Sequence, residues 1–285
     1  METILTNQDT HVVISPTSPF VIIGERINPT RRKKLAAAMA AGDFSLVQQD
    51  AQNQAAAGAQ VLDVNAGIPG SDEPVLLRAV VEAVLAVTSQ PLCIDSANPA
   101  ALQAALETYP GKALINSTTA EPDMMARVFP LAQKYGAAVI GVITDENGIP
   151  TSAQDRLDVA RKLITVASEY GIPAADIIID PLALTVGADF NAGRVTLDAV
   201  RLIQSELGVN ISLGASNVSF GLPDRKIINV AYLALAIANG LTAAITDPTV
   251  PEIQTTLLAC DLLLGRDEHA MSWIKAYRKR SVDGS

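Results

Sequence analysis

The chain has 285 residues, with 21 Lys and Arg against 30 Asp and Glu, a formal charge of −9, 49% hydrophobic residues and 4% aromatics. Its length suits one α/β barrel of roughly 250 residues, its apolar share excludes a disordered chain, and its acidic balance excludes a nucleic-acid binder, which needs a basic face. Two cysteines (Cys93, Cys260) and two histidines (His11, His269) exclude a disulfide scaffold and leave too few ligands for a protein-held zinc or iron centre, so no protein-bound metal is expected.

Residues 1–18 are polar and lack a cationic start followed by an apolar stretch, so they do not read as a signal peptide. They read as an N-terminal extension, and residues 19–285 as a single barrel domain. Beyond them, short apolar runs alternate with Ala- and Leu-rich helical patterns. Strands are predicted at Phe20–Glu25, Val61–Asn65, Pro91–Asp95, Ala113–Asn116, Ala138–Ile143, Ile177–Asp180, Asn210–Gly214 and Ala243–Thr246. Each is nearly all apolar, as strands covered on both sides are in a parallel sheet.

Helices are predicted between them at Asp43–Ala57, Glu73–Thr88, Pro99–Thr108, Pro122–Tyr135, Ala153–Tyr170, Thr196–Leu207, Arg225–Asn239 and Pro251–Leu264. Pro99 and Pro122 suit a first helical turn and Asp43 a cap. Gly58, Gly136, Gly171, Gly208 and Gly240 follow helices, where a left-handed residue is favoured. The basic tail after Trp273 reads as a solvated helix end. The longest apolar run in the C-terminal half, Val230–Ala238, is far shorter than the about 20 residues that span a bilayer. The expected protein is cytoplasmic, with reduced thiols.

Eight strand–helix repeats predict an α/β fold of the (β/α)8 TIM-barrel type. The alternative is an open doubly wound sheet, but no Gly-x-Gly-x-x-Gly follows the first strand.

The polar residues are concentrated where the strands end. In chain order the ends read Gly24-Glu25-Arg26-Ile27-Asn28, Leu62-Asp63-Val64-Asn65, Cys93-Ile94-Asp95-Ser96, Ile115-Asn116-Ser117-Thr118, Ile179-Asp180-Pro181, Ala215-Ser216-Asn217-Val218-Ser219 and Ile245-Thr246-Asp247. In a barrel they converge on the face that carries active sites. Any one of these Asp or Asn residues could simply cap the next helix. Together they would crowd one mouth with buried polar groups, which need partners. No nucleophile has a base beside it, and no Gly-rich loop would cradle a phosphate. Carboxylates and carboxamides suit a neutral heterocycle rich in N–H donors, since a carboxylate accepts two parallel bonds from an amino-pyrimidinone edge and a carboxamide both donates and accepts. A reduced pterin has such an edge.

This ordered set of motifs resembles the methyltetrahydrofolate:corrinoid-protein methyltransferases, whose pterin-binding barrel is shared with the folate domain of cobalamin-dependent methionine synthase. The similarity runs from about Phe20 to Leu264. It implies that Asp95, Asn116 and Asp180 grip the polar edge of the pterin, with Asp63, Asn65 and Ser216 in the same mouth. Asn217, of the Ser-Asn-Val-Ser motif, is implied as the catalytic residue beside N5. The implied reaction moves a methyl group between N5 of methyltetrahydrofolate and the cobalt of a corrinoid, in either direction. Cobalamin is expected on a partner protein, because no Asp-x-His-x-x-Gly run is present. A homodimer is also implied.

Two other readings compete. One is a dihydropteroate synthase-like enzyme, disfavoured because the first loop reads Arg26-Ile27-Asn28-Pro29-Thr30-Arg31 and the last strand ends Thr246-Asp247-Pro248, neither of which is a diphosphate site of that family. The other is a non-catalytic pterin-binding or corrinoid-docking subunit, against which Asn217 argues. The loops Ile143–Gly148 and Thr185–Gly193 depart from the family pattern.

Overall fold

The computed structural model describes residues 1–8 and 10–283. Eight parallel strands form one sheet: β3 (Val21–Ile27), β4 (Val61–Asn65), β5 (Leu92–Asp95), β6 (Leu114–Thr119), β7 (Ala138–Val142), β8 (Ile177–Asp180), β9 (Ser212–Gly214) and β10 (Ala243–Thr246). They are ordered β8-β7-β6-β5-β4-β3-β10-β9. A parallel bridge between Ile179 and Ile211, with the Ile179 N–H donating to the Asn210 carbonyl at 2.9 Å, joins the two edges. The sheet is therefore a barrel, and the alternative of an open sheet is excluded.

Helices form the outer layer: α1 (Lys33–Ala40), α2 (Ser45–Ala56), α3 (Glu73–Leu85), α4 (Pro99–Leu106), α5 (Pro122–Tyr135), α6 (Ala153–Glu169), α7 (Ala192–Leu207), α8 (Arg225–Ala238), α9 (Pro251–Leu263) and α10 (Met271–Asp283). Their starts follow local chemistry. The side chains of Asp72, Asn98 and Ser152 accept from backbone N–H groups in the first turns of α3, α4 and α6. Asp43 accepts from Ser45 at 3.0 Å, but Phe44 occupies the cap position of α2. α7 begins a turn before its predicted start. Gly136 and Gly208 close α5 and α7 at φ 62°. Among the described residues, no helix is long and apolar enough to cross a membrane.

The strands alternate strictly in what they bury. Val21, Ile23, Val61, Cys93, Leu114, Ala138, Ile140, Ile178 and Ala243 fill the barrel. Their neighbours Ile22, Leu62, Val64, Ile94, Ile115, Val139, Ile177, Ile179 and Ala244 pack under the helices. Successive side chains point to opposite faces of a strand, so the next inward positions are Glu25, Asp63 and Asn65, Asp95, Asn116, Asp180 and Ile245. The inward face thus turns from apolar to polar along the strands.

Residues 1–18, read from the sequence only as an extension, contain a structured hairpin. β1 (Thr3–Asn7) and β2 (Thr10–Ile14) pair antiparallel. Leu5 and Ile14 are fully buried against the interior residues at the strands' N-terminal ends. The hairpin is tied down by hydrogen bonds from the Thr6 N–H to the Lys112 carbonyl (3.0 Å) and from the Asn210 amide to the Ile14 carbonyl (2.7 Å). Gly111 allows the close approach, because a Cβ there would stand 2.2 Å from the Thr6 carbonyl oxygen. This plug closes the end of the barrel opposite the polar mouth.

Candidate active site

At the strands' C-terminal ends lies a cavity of about 730 Å³, lined by Glu25, Arg26, Asp63, Asp95, Asn116, Ser216 and Asn217, with further residues from the surrounding loops. Five of the seven sequence-predicted site residues meet there: Asp63, Asp95, Asn116, Ser216 and Asn217.

The floor is cross-braced. The Asn116 amide donates to the Asp63 carboxylate at 3.0 Å, and the Asn65 amide donates to Asp95 at 3.0 Å. Asn65 also accepts from the Gly67 N–H at 2.9 Å, so both ends of its amide are engaged, and it is not among the residues that line the cavity. Asp180 ends β8 outside the lining set. Its carboxylate accepts from the Leu182 N–H at 2.8 Å, in a segment whose Pro181 and Leu182 carbonyls take hydrogen bonds from buried Arg156.

Crowding several carboxyls into one pocket disfavours their charged forms. Burial, reinforced by the nearby Asp95, holds Asp63 well above the usual carboxylate range. Burial pushes Asp95 up to about 6, against the opposing hydrogen bond from Asn65. Burial also raises Asp180 to about 6.

Asn217 sits in a single 3-10 turn, Ala215–Ser219, that follows β9. The turn is pinned by buried Ala215 and Val218 and by Arg225, whose guanidinium donates to the Ser216 carbonyl at 2.8 Å. Among the described residues none hydrogen-bonds the Asn217 side-chain amide. Gly214 leaves it room, since a Cβ there would come within 3.0 Å of its Nδ2. The amide is free to present either its N–H or its carbonyl to whatever fills the cavity.

Glu25, at the end of β3, is a site residue that the sequence pattern does not single out. It lines the cavity, and Ser216 Oγ donates to it at 3.3 Å. Burial and the neighbouring Asp247 raise it to about 7, against the lowering pull of Arg26 and Arg225. Its signal was parity, because Val21, Ile23 and Glu25 share one face of β3. Arg31, Phe220 and Arg225 of the rim were also missed, and they come together only through loops.

A family model described as "Pterin binding enzyme" matches residues 24–247, from the mouth end of β3 to just past β10. The chain is 28% identical over 271 residues to the methylcorrinoid:tetrahydrofolate methyltransferase of Eubacterium limosum, covering 92% of this chain and 98% of that one. It is 30% identical over 277 residues to the methionine synthase of Mycobacterium tuberculosis, covering 90% of this chain but only 23% of that protein. Among solved structures it superposes on a dihydropteroate synthase of Xanthomonas albilineans with a TM-score of 0.69 at 19% identity, over 92% of this chain and 98% of that one. At that identity the likeness shows the barrel fold alone.

Proposed function

The chain belongs to the family of pterin-binding enzymes, and from that premise we propose that it transfers a methyl group between N5 of methyltetrahydrofolate and the cobalt of a corrinoid carried by a separate protein. The observation that carries this reading is the Asp95–Asn116–Asn217 constellation around one cavity, in a chain similar over nearly its whole length to a methylcorrinoid:tetrahydrofolate methyltransferase. Asp95 and Asn116 match donor and acceptor positions of a pterin edge, and Asp180 ends β8, two strands beyond the Asn116 strand β6. Asn217, whose side-chain amide has no hydrogen-bond partner among the described residues, takes N5.

The chemistry is demanding because a tertiary amine is a poor leaving group. When the methyl group passes to Co(I), the C–N bond breaks and its electron pair stays on N5, which ends as N–H. Positive charge must therefore be stabilised on N5 before or during the break. An amide that can turn donates to a neutral N5 and accepts from a protonated one. Its gain is largest in the transition state.

The direct test mixes the protein with methyltetrahydrofolate and free Co(I) cobalamin and follows conversion to methyl-Co(III) spectroscopically. Protein-dependent conversion is expected. Tight folate binding with no conversion in either direction would leave a non-catalytic binding subunit, and condensation of p-aminobenzoate with a pterin diphosphate would point to the synthase chemistry instead.

Glu25 gives this reading a pH signature. Filling the cavity strips remaining water from its carboxyl, which disfavours the charged form and raises a pKa already near 7. Binding then takes up a proton, so folate affinity is expected to fall as pH rises through 7. Glu25→Gln removes that limb. A Kd profile across the neutral range with the same alkaline limb in wild type and variant rules it out.

A further inference from the structure

The net charge of the chain is −9, yet its mouth carries five cations: Arg26, Arg31, Arg32, Arg225 and Lys226 line the cavity rim. Three of them are neutralised. Arg26 faces Asp247 at 3.5 Å, Arg32 pairs with Asp50 at 2.6 Å, and Lys226 pairs with Glu252 at 2.7 Å. Among the described residues, Arg31 and Arg225 have no carboxylate partner. Both guanidinium groups lie instead over the Phe220 ring, at 5.6 and 4.6 Å from its centre. Phe220 is 40% exposed and lines the same cavity.

Phe220 has a fixed footing. Its backbone carbonyl accepts from the Thr185 hydroxyl at 2.7 Å, and the Val186 N–H donates to the Val218 carbonyl at 2.9 Å. Thr185 and Val186 thus brace this ring from the loop that follows β8. On the other side of the lip, Arg31 opens a run of four consecutive cations, Arg31-Arg32-Lys33-Lys34, that leads into α1. Lys33 and Lys34 are exposed. A cationic run in which only Arg32 is paired, beside an aromatic platform at the exit of a pocket, is arranged for a ligand that leaves the pocket as a flat ring and ends in carboxylates.

We propose that this lip is a subsite for the p-aminobenzoyl-polyglutamate tail of the folate, with Phe220 meeting the benzoyl ring and Arg31, Lys33 and Lys34 taking the γ-linked glutamyl carboxylates. The assignment rests on the tetrahydrofolate reading above and names which form of that substrate the site prefers. The geometry favours a tail over a separate anion, because Arg31 and Phe220 line the same cavity as Asp95 and Asn116. A pterin seated on that floor sends its substituent out through the lip. The cations also counter a protein-wide negative field that would otherwise repel each added carboxylate.

The test compares three probes by calorimetry at low and high salt: methyltetrahydrofolate with one glutamate, the same folate with three, and 6-methyltetrahydropterin, which has no tail. Each exposed ion pair changes an equilibrium constant by at most about fivefold, so two added glutamates are expected to tighten binding by about tenfold at low salt. High salt is expected to erode that gain. The combined Arg31→Gln, Lys33→Gln, Lys34→Gln variant is expected to bind both folates alike while keeping wild-type affinity for the tailless pterin, which also reports that the variant is folded. Phe220→Leu is expected to narrow the affinity gap between the monoglutamate and the tailless pterin. Equal affinity of the wild type for one and three glutamates, or a preference that survives the triple substitution, overturns the tail subsite and leaves the pterin reading standing. If the tailless pterin fails to bind the wild type, both fall.

Discussion

Asn217→Ala is expected to slow methyl transfer by about 10–10³-fold while the folate Kd changes only a few-fold. The side chain is a neutral polar group of the mouth that its surroundings, among the described residues, leave unspent. Asp63 and Asp95 each receive an amide hydrogen bond from a neighbour, and Ser216 bonds to Glu25. The Asn217 amide has no such partner among the described residues, and Gly214 gives it room to turn. A group that serves the ground state would be fixed in one orientation. One that must donate to a neutral nitrogen and then accept from its protonated form must not be. Alanine keeps the 3-10 turn, because that turn is held by Ala215, Val218 and the Arg225 contact to the Ser216 carbonyl, and none of these uses the Asn217 side chain. Stopped-flow cobalamin absorbance gives the rate, and equilibrium titration gives Kd. A normal rate removes Asn217 from the chemistry. A loss confined to Kd makes it a binding residue.

Most of this site could be read from residue order because a barrel writes its active face into strand parity. Val61–Asn65, Ile177–Asp180 and Ala243–Thr246 are strands with the bounds expected from their apolar runs. Once the runs are placed, the polar residue that ends each one must face either the mouth or a helix. Parity decides between the two. Asp63, Asp95 and Asn116 share parity with the apolar interior residues of their own strands, and so does Glu25. Residue type alone does not mark Glu25 as part of the site; the face it takes on β3 does.

Other features had no such rule. Arg31 and Phe220 belong to different loops and meet only because β3 and β9 both flank β10 in the closed barrel. No local pattern reports that adjacency. Asn65 and Asp180 show the opposite limit. Both occupy inward positions, yet local hydrogen bonds to Gly67 and Leu182 decide where their oxygens go, and that competition is settled by loop geometry. The Thr3–Ile14 hairpin was missed because each of its strands has only five residues and is partly exposed. Its role as a plug exists only once there is an open barrel end to fill.

Asp95→Ala and Asp95→Asn are both expected to weaken folate binding by about 10–100-fold with a smaller effect on the transfer step, as loss of a charge-assisted pair of hydrogen bonds predicts. Asparagine nearly preserves the shape, but it turns one acceptor into a donor aimed at the pterin's own N–H groups, so it is not expected to rescue. The pH profile gives a sharper check. Burial holds both Asp95 and Asp180 near 6 in the free protein. Accepting N–H bonds stabilises the carboxylate, so binding lowers each pKa and releases protons. Affinity therefore rises with pH through 6 and levels off above it, the opposite sign to the Glu25 limb near 7. The two limbs together place the strongest binding in the narrow interval between them. If both aspartates meet the pterin, the acid limb approaches a slope of two protons in wild type. It falls to one in Asp95→Asn and likewise in Asp180→Asn. A wild-type slope of one that Asp180→Asn leaves unchanged would assign the pterin edge to Asp95 alone. This would fit the position of Asp180 outside the cavity lining, with its carboxylate already bonded to the Leu182 N–H.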